Sequence, residues 1–221
     1  MSPPVNDSTD LKSLPTHFHL GTGRAGSTFL FHLVKAHREL CLSNSQEIGF
    51  YSDYFDRGFE WYRSQFEGPG LQVDTSPAYF ARGKPVADRI AKHIDGRAAR
   101  FLLVLRNPID YTYSHFLMRK NNRYFKRHRE KYPRLPKTFD DLMSDYPEYL
   151  DRGKYFQNLT ENWFEVFPES AFKVVLFRDL IKKPQETANE VLEFWGVESM
   201  TVETPEISKN ATLKYLSLIH I

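Results

Sequence analysis

Phe18-His19-Leu20-Gly21-Thr22-Gly23-Arg24-Ala25-Gly26-Ser27-Thr28-Phe29-Leu30 is the stretch that decides how this 221-residue chain is read. A short apolar run meets three glycines in six residues, then Ser-Thr, then a helix-like pattern. That order reads as strand, tight loop and helix N-terminus. Glycine lets the backbone approach a ligand closely, and the first helical turn offers unpaired N–H groups at the positive end of its dipole. The stretch therefore reads as an anion site, and specifically one for a phosphate.

Its spacing nearly matches a nucleoside-triphosphate P-loop: Gly21, four residues, Gly26, then Ser27 and Thr28 where that motif has Lys and Ser/Thr. The lysine is missing, and the cation inside the loop is Arg24. A triphosphate enzyme also needs a magnesium-binding acid after a second strand. Here the best buried strand, Phe101-Leu102-Leu103-Val104-Leu105, runs into Arg106. A second cation in that place points to phosphate recognition by charge and helix dipole, without metal. The bland alternative is a glycine-rich turn with no ligand, and Arg24 together with Arg106 argues against it.

Outward from the loop, the whole chain sets bounds. Its length suits one α/β domain with a full core. A net charge of +2 gives no general attraction to nucleic acid or to a membrane. The single cysteine, Cys41, has no partner for an internal disulfide, and no Cys/His cluster has zinc-ligand spacing. Met1 to Thr16 is polar, with neither a signal-peptide core nor a membrane-spanning run, so the expected location is cytoplasmic. The Golgi lumen is the alternative if an upstream anchor has been lost; only then do the sequons at Asn158 and Asn210 matter. Residues 1–15 read as a flexible lead-in, 16–210 as the domain and 211–221 as a tail.

Strands are expected at His17–Leu20, Leu40–Leu42, Leu71–Asp74, Phe101–Leu105 and Phe172–Phe177. They alternate with helices from Ser27 to about His37, over Pro85–Ile94, from Pro108, and over Pro184–Trp195. The fold class is α/β: a P-loop-like, doubly wound parallel sheet flanked by helices. Phe55, Phe59, Tyr62 and Phe66 have helical spacing and read as core. Leu71-Gln72-Val73-Asp74-Thr75-Ser76 ends a strand in polar side chains, at the sheet edge where open α/β folds bind ligands. In the helix opened by Asn107-Pro108, the expected inner face is Ile109, Tyr113, Phe116 and Leu117. Ser114 lies about two turns in, eight residues after Arg106. Tyr155, Leu159, Trp163 and Val166 give a further amphipathic helix. From Arg119 to Lys137 nine Lys/Arg interleave with Tyr124, Phe125 and Tyr132. This reads as a solvated, partly mobile excursion, with an electropositive rim for an acidic substrate as the sharper alternative.

In this order the motifs resemble those of the sulfotransferases that use 3′-phosphoadenosine 5′-phosphosulfate (PAPS), above all the heparan sulfate and carbohydrate branch and its bacterial relatives. The resemblance runs from about Phe18 to Asn210. Gly21-Thr22-Gly23-Arg24-Ala25-Gly26-Ser27-Thr28 resembles the 5′-phosphosulfate loop. Leu105-Arg106-Asn107-Pro108-Ile109-Asp110-Tyr111-Thr112-Tyr113-Ser114 resembles the 3′-phosphate motif, which implies that Arg106 and Ser114 hold that phosphate. Asp74-Thr75-Ser76-Pro77-Ala78-Tyr79-Phe80 is similar to the family's Glu-Lys-Thr/Ser-Pro-x-Tyr segment. Gly153-Lys154-Tyr155, Arg178-Asp179-Leu180 and Pro184 follow in the family's order.

The resemblance also implies a role for Gln46-Glu47-Ile48-Gly49-Phe50-Tyr51: in the carbohydrate branch a glutamate in this place is the catalytic base, and from the residues alone Glu47 reads as a surface charge. It implies PAPS as co-substrate, no metal, and a carbohydrate or small-molecule hydroxyl or amine as acceptor. Glu47 and Arg24 would be the catalytic pair; Gly21, Thr22, Gly23, Arg24, Ala25, Gly26, Ser27, Thr28, Arg106 and Ser114 would bind the donor. The chain departs from the heparan branch at Arg24 and at Thr75, each in place of a Lys, and at Gly49 in place of a His. Past its last helix the family continues into a basic, glycine-containing loop that Ala211 to Ile221 lacks, so the sequence is expected to be part of a longer protein. The competing readings are a P-loop kinase, opposed by Ser27 and Arg106, and a nucleotide-binding protein without turnover.

Overall fold

A computed structural model describes residues 14–94 and 97–204. The N-terminal thirteen residues, the Asn210 sequon and the tail at 211–221 lie outside the described residues. In chain order the elements are β1 (His17–Gly21), α1 (Ser27–Val34), β2 (Leu40–Leu42), α2 (Gly58–Arg63), β3 (Leu71–Thr75), α3 (Tyr79–Arg82), α4 (Lys84–Ile94) and β4 (Arg100–Leu105). They continue with α5 (Pro108–Asn121), α6 (Tyr124–Arg127), α7 (Phe139–Asp145), β5 (Phe172–Leu176), α8 (Phe177–Lys182) and α9 (Pro184–Trp195). No helix among the described residues is long and apolar enough to cross a membrane.

The strands pair in the order β2-β3-β1-β4-β5, all parallel, as short apolar runs separated by helices should. Side chains alternate between the two faces. On β4, Leu102 and Val104 join α1 and α9 in one core layer with Leu30, Leu33, Val191 and Trp195. Phe101 points the other way, stacked on Phe18 at 5.3 Å and Phe172 at 4.9 Å, with Trp163 at 5.7 Å. With apolar side chains on both faces, the sheet is the doubly wound one expected from the sequence. Chain direction across the sheet reverses beside β1, so the loop after β1 stands at the topological switch point, the usual ligand position of such sheets.

Two compact units form: residues 14–105 with 156–204, which carry the sheet, and residues 106–155. In the second unit α5 packs on α6 and on the turn of helix at Pro147–Gly153. Its core is aromatic, with Phe116, Phe125, Tyr132, Leu142, Tyr146 and Tyr149 buried together. Phe125 and Tyr132 belong to the basic stretch 119–137, so that stretch has a packed interior and is not solvated throughout. Its Lys and Arg are exposed, except Arg119, which is half-buried with its guanidinium 4.1 Å from the Tyr124 ring. Thr138 caps α7 in a capping box with Asp141.

Two local expectations are corrected. The inner face of α5 is Tyr111, Thr112, Ser114 and Phe116, while Ile109 is 65% exposed. Hydroxyl-bearing residues are buried there, and an apolar-only periodicity misphases the helix. The segment from Tyr155 is one α-turn, Tyr155–Asn158, followed by a π-turn at Leu159–Trp163. Asn158 of the first sequon is occupied: its Nδ2 donates to the Phe80 carbonyl at 2.7 Å.

Candidate active site

The loop begins with a break in register. His19 pairs with Leu102 of β4, but Gly21 pairs with Leu103, so the strand end is re-aimed. The Thr22 N–H and hydroxyl then both donate to the Val104 carbonyl, at 2.9 and 3.1 Å, and pin the loop to β4. Gly21 has φ +136°, and a Cβ there would overlap the Pro77 carbonyl oxygen. Gly26, the N-cap of α1 at φ +88°, lies so close to Phe177 and Leu180 of α8 that a Cβ would sit 3.0–3.1 Å from them. Ala25 is buried between these anchors. The result is a bend anchored at Gly21, Thr22 and Gly26. Among the described residues, the N–H groups of Gly23, Gly26, Ser27 and Thr28 donate to no protein acceptor. They surround the positive end of the α1 dipole, a donor set matched to an oxyanion. Arg24, half-buried, holds a left-handed φ of 68° inside this bend.

Glu47 lies on a neighbouring segment. Its side chain is exposed, its φ is 67°, and its N–H donates to the Thr75 carbonyl at 2.7 Å. Left-handed non-glycine residues are uncommon; Arg24, Glu47 and Arg123 are those present among the described residues. The two segments are joined where Thr28 Oγ1 donates to Gln46 Oε1 at 2.9 Å. The six loop residues from Gly23 to Thr28 and Glu47 therefore belong to one part of the sheet unit.

What holds Glu47's segment is Asp74, which the sequence suggested as an edge group facing a ligand. The structure places it inside, 0% exposed. Its carboxylate accepts from Ser76 Oγ (2.6 Å), Tyr62 Oη (2.7 Å) and Tyr79 Oη (3.0 Å). Two of those hydroxyls accept in turn from backbone: Ser76 Oγ from Gly49 N and Tyr79 Oη from Tyr51 N, each at 3.0 Å. Burial pushes the Asp74 carboxyl above its usual range, against the pull of the three O–H donors. Burial, reinforced by the Asp74 charge, pushes the Tyr62 and Tyr79 phenols well up, so both stay donors. Thr75, in the place of the heparan-branch Lys, is equally committed: its hydroxyl shares a 2.8 Å hydrogen bond with Ser43 Oγ. Sequence reasoning missed this inward network. Its signal was present: an acid at the end of a buried strand with Ser two and Tyr five residues on.

Arg106 and Ser114 lie in the other unit. Arg106 follows β4 directly and is 7% exposed; Ser114, on the buried face of α5, is 1% exposed. Between them Asn107 caps α5, its Oδ1 accepting from Ile109 N (2.9 Å) and Asp110 N (3.3 Å). The cap fixes the start of the helix two residues after Arg106.

The sequence matches the family model described as "Sulfotransferase domain" over residues 15–218. The membrane-associated sulfotransferase kil1 of Dictyostelium discoideum is 26% identical over 149 residues, covering 64% of this chain and 30% of that protein. This chain thus spans under a third of that relative's length. A crystal structure of a sulfotransferase from Alicyclobacillus acidocaldarius superposes with TM-score 0.68 at 18% identity, covering 93% of this chain and 90% of that one. A sulfotransferase domain from the curacin biosynthetic pathway gives TM-score 0.56 at 16% identity, over 83% and 75% of the two chains. Likeness at these identities is a likeness of fold.

Proposed function

The chain belongs to the sulfotransferase domain family, and from that premise we propose that it moves a sulfuryl group from PAPS to a hydroxyl or amine of a carbohydrate or small-molecule acceptor, with Glu47 as general base. The observation that carries this reading is the pair Arg24 and Glu47. Both hold a strained left-handed backbone, and the segment of Glu47 is tied to the start of α1 through Gln46, whose Oε1 accepts from Thr28 Oγ1. Strain of this kind, about 1–3 kcal/mol per residue, persists where surrounding structure enforces it and gathers at functional sites.

The residues present fit a phosphosulfate. The N–H groups of Gly23, Gly26, Ser27 and Thr28 offer several donors to one oxyanion, and the gap above Gly23 is open, with nothing within 4 Å of a Cβ placed there. Arg24 supplies the positive charge that a P-loop takes from its lysine, as a planar fork able to bind two oxygens. When bound, the donor supplies a sulfuryl group already activated as an anhydride. As the acceptor oxygen or nitrogen bonds to sulfur, the bond from sulfur to the bridging phosphate oxygen breaks. Glu47 Oε takes the acceptor proton, and the electron pair of the broken bond stays on the 5′-phosphate, where Arg24 and the loop N–H groups stabilise it. Arg106 and Ser114 are assigned the 3′-phosphate, the group that distinguishes PAPS from ATP.

The test is transfer of labelled sulfate from PAPS to a panel of sugars and simple alcohols and amines, alongside binding of adenosine 3′,5′-bisphosphate. Glu47→Gln is expected to lower kcat by two orders of magnitude or more with bisphosphate binding intact. Arg106→Ala is expected to weaken the bisphosphate at least tenfold and to leave adenosine 5′-phosphate unaffected. Bisphosphate binding without transfer to any acceptor would favour a non-catalytic binder. Magnesium-dependent ATP binding indifferent to the 3′-phosphate would favour a kinase.

A further inference from the structure

Beyond Glu47 the same segment makes a tight turn around one carbonyl. Ser52 N, Asp53 N and Tyr54 N all donate to Gly49 O, at 3.1, 2.8 and 3.2 Å. The turn lays the Tyr54 ring against Gly49, with Cδ2 3.6 Å from where a Cβ would stand. Trp61, from α2, meets Tyr54 edge to face with ring centroids 5.9 Å apart. Arg57 fills the notch between them, its guanidinium carbon 4.6 Å from each ring centroid.

Arg57 is exposed, and no carboxylate lies within ion-pair distance of it among the described residues; neighbouring Asp53 is taken by Arg82 at 2.7 Å. Two aromatic rings hold the guanidinium by cation–π attraction. Its N–H donors lie in the plane of the group, at the edge, and a fork of that kind matches a carboxylate or sulfate. Ordering a long side chain is a cost that an exposed arginine ordinarily meets on binding, and here the rings have already met it.

We propose that the Tyr54–Arg57–Trp61 notch is an acceptor subsite that binds an oxyanion, a carboxylate or a sulfate ester, carried by the acceptor at a distance from its reacting group. The notch and Glu47 share one anchored segment. Two residues, a reach of at most about 7 Å, separate Glu47 from Gly49, on which the Tyr54 side of the notch rests, so one extended acceptor can reach both. The acceptor class is then an anionic oligosaccharide or a molecule of similar reach, and a small neutral alcohol fills only half of the site. This inference rests on the reading of Glu47 as the acceptor side of a sulfotransferase site.

Binding can be read without turnover, because Trp61 is the partly exposed tryptophan of the three, Trp163 and Trp195 being buried. The full chain is titrated with a disaccharide sulfate ester, a disaccharide uronate and neutral maltose while tryptophan emission is followed. The expected result is saturable change with at least one of the two anions and none with maltose. Arg57→Gln should weaken that binding tenfold or more, Arg57→Lys should fall between, and affinity for adenosine 3′,5′-bisphosphate should stay unchanged in both. The sulfate and uronate arms separate the two oxyanions. Equal binding by wild type and Arg57→Gln, binding of maltose as tight as that of the anions, or no binding of either anion would overturn the subsite. Loss of bisphosphate binding in the wild type would instead count against the sulfotransferase reading, so the two failures are distinguishable.

Discussion

Two turns at the carboxyl edge of one sheet treat their polar groups in opposite ways. The loop from Gly21 to Gly26 leaves backbone donors open, while the turn after β3 has its polar side chains fully engaged within the protein. They are neighbours, since the backbone of Pro77 occupies the space a Gly21 side chain would need. Both looked alike in sequence, as strands ending in Gly, Thr, Ser or Asp. Polar groups at this edge thus divide into those left open and those that hold the others still. Asp74 does the second, through Ser76 and Tyr79 to the backbone next to Glu47.

The largest effect expected along this division is at the contact between the turns. Gly21→Ala places a methyl group on the Pro77 carbonyl in a backbone region that favours glycine, and should destabilise the fold by about 4 kcal/mol in urea denaturation. Gly23→Ala is the counterpart within the same loop. With open space around it and no positive φ, it should change stability by less than about 1 kcal/mol and yet weaken adenosine 3′,5′-bisphosphate. If both glycines behave alike, the loop is shaped by packing alone, and its open donors lose their meaning.

A second effect concerns His19, the β1 residue just ahead of the loop. Its ring is buried, Nε2 has no partner among the described residues, and burial pushes its pKa down to about 4. A depressed histidine pKa means that the unfolded chain binds the proton first. The stability from the neutral ring is full above pH 6.5 and is lost as the pH falls toward 4. From pH 7 to pH 4 that loss is about 3 kcal/mol. His19→Gln should flatten this part of the curve of denaturation midpoint against pH; an unchanged slope would show that the ring is solvated.

Much of this molecule was legible because its signals are local. The glycine spacing of the loop, the helix opened by Asn107-Pro108 and the strand–helix alternation each depend on residues a few positions apart, and each was found where expected. The loop and the Arg106 strand end were visible for the same reason. Asp74 was misjudged because its partners come from elsewhere. Tyr62 reaches it from α2, twelve residues earlier, with Phe50 stacked on the Tyr62 ring at 4.2 Å. The face of α5 was misjudged because Thr112 and Ser114 are buried, and no pattern of apolar residues announces a buried hydroxyl. The notch at Arg57 likewise depends on a turn that brings Tyr54 back to Gly49.

The smallest effect separates holding from binding most directly. Asp74→Asn keeps the shape but leaves one carbonyl oxygen where two carboxylate oxygens accepted three O–H donors, and it points an NH₂ group at a hydroxyl. The cost should be about 2 kcal/mol at neutral pH, limited because the variant no longer buries a charge. The pH dependence has the opposite sign to that of His19. A carboxyl whose pKa is raised in the fold contributes most stability below its unfolded pKa of 3.8 and loses it as the pH rises through the folded value. The deficit of the variant should therefore widen on acidification. Bisphosphate affinity, measured where the variant is fully folded, should match wild type, because no Asp74 oxygen is open to a ligand. The transfer rate should fall several-fold, because Gly49 and Tyr51 lose the hydroxyls that fix them and Glu47 loses its alignment. A drop in bisphosphate affinity equal to the drop in rate would place Asp74 with the loop and erase the division between the two turns.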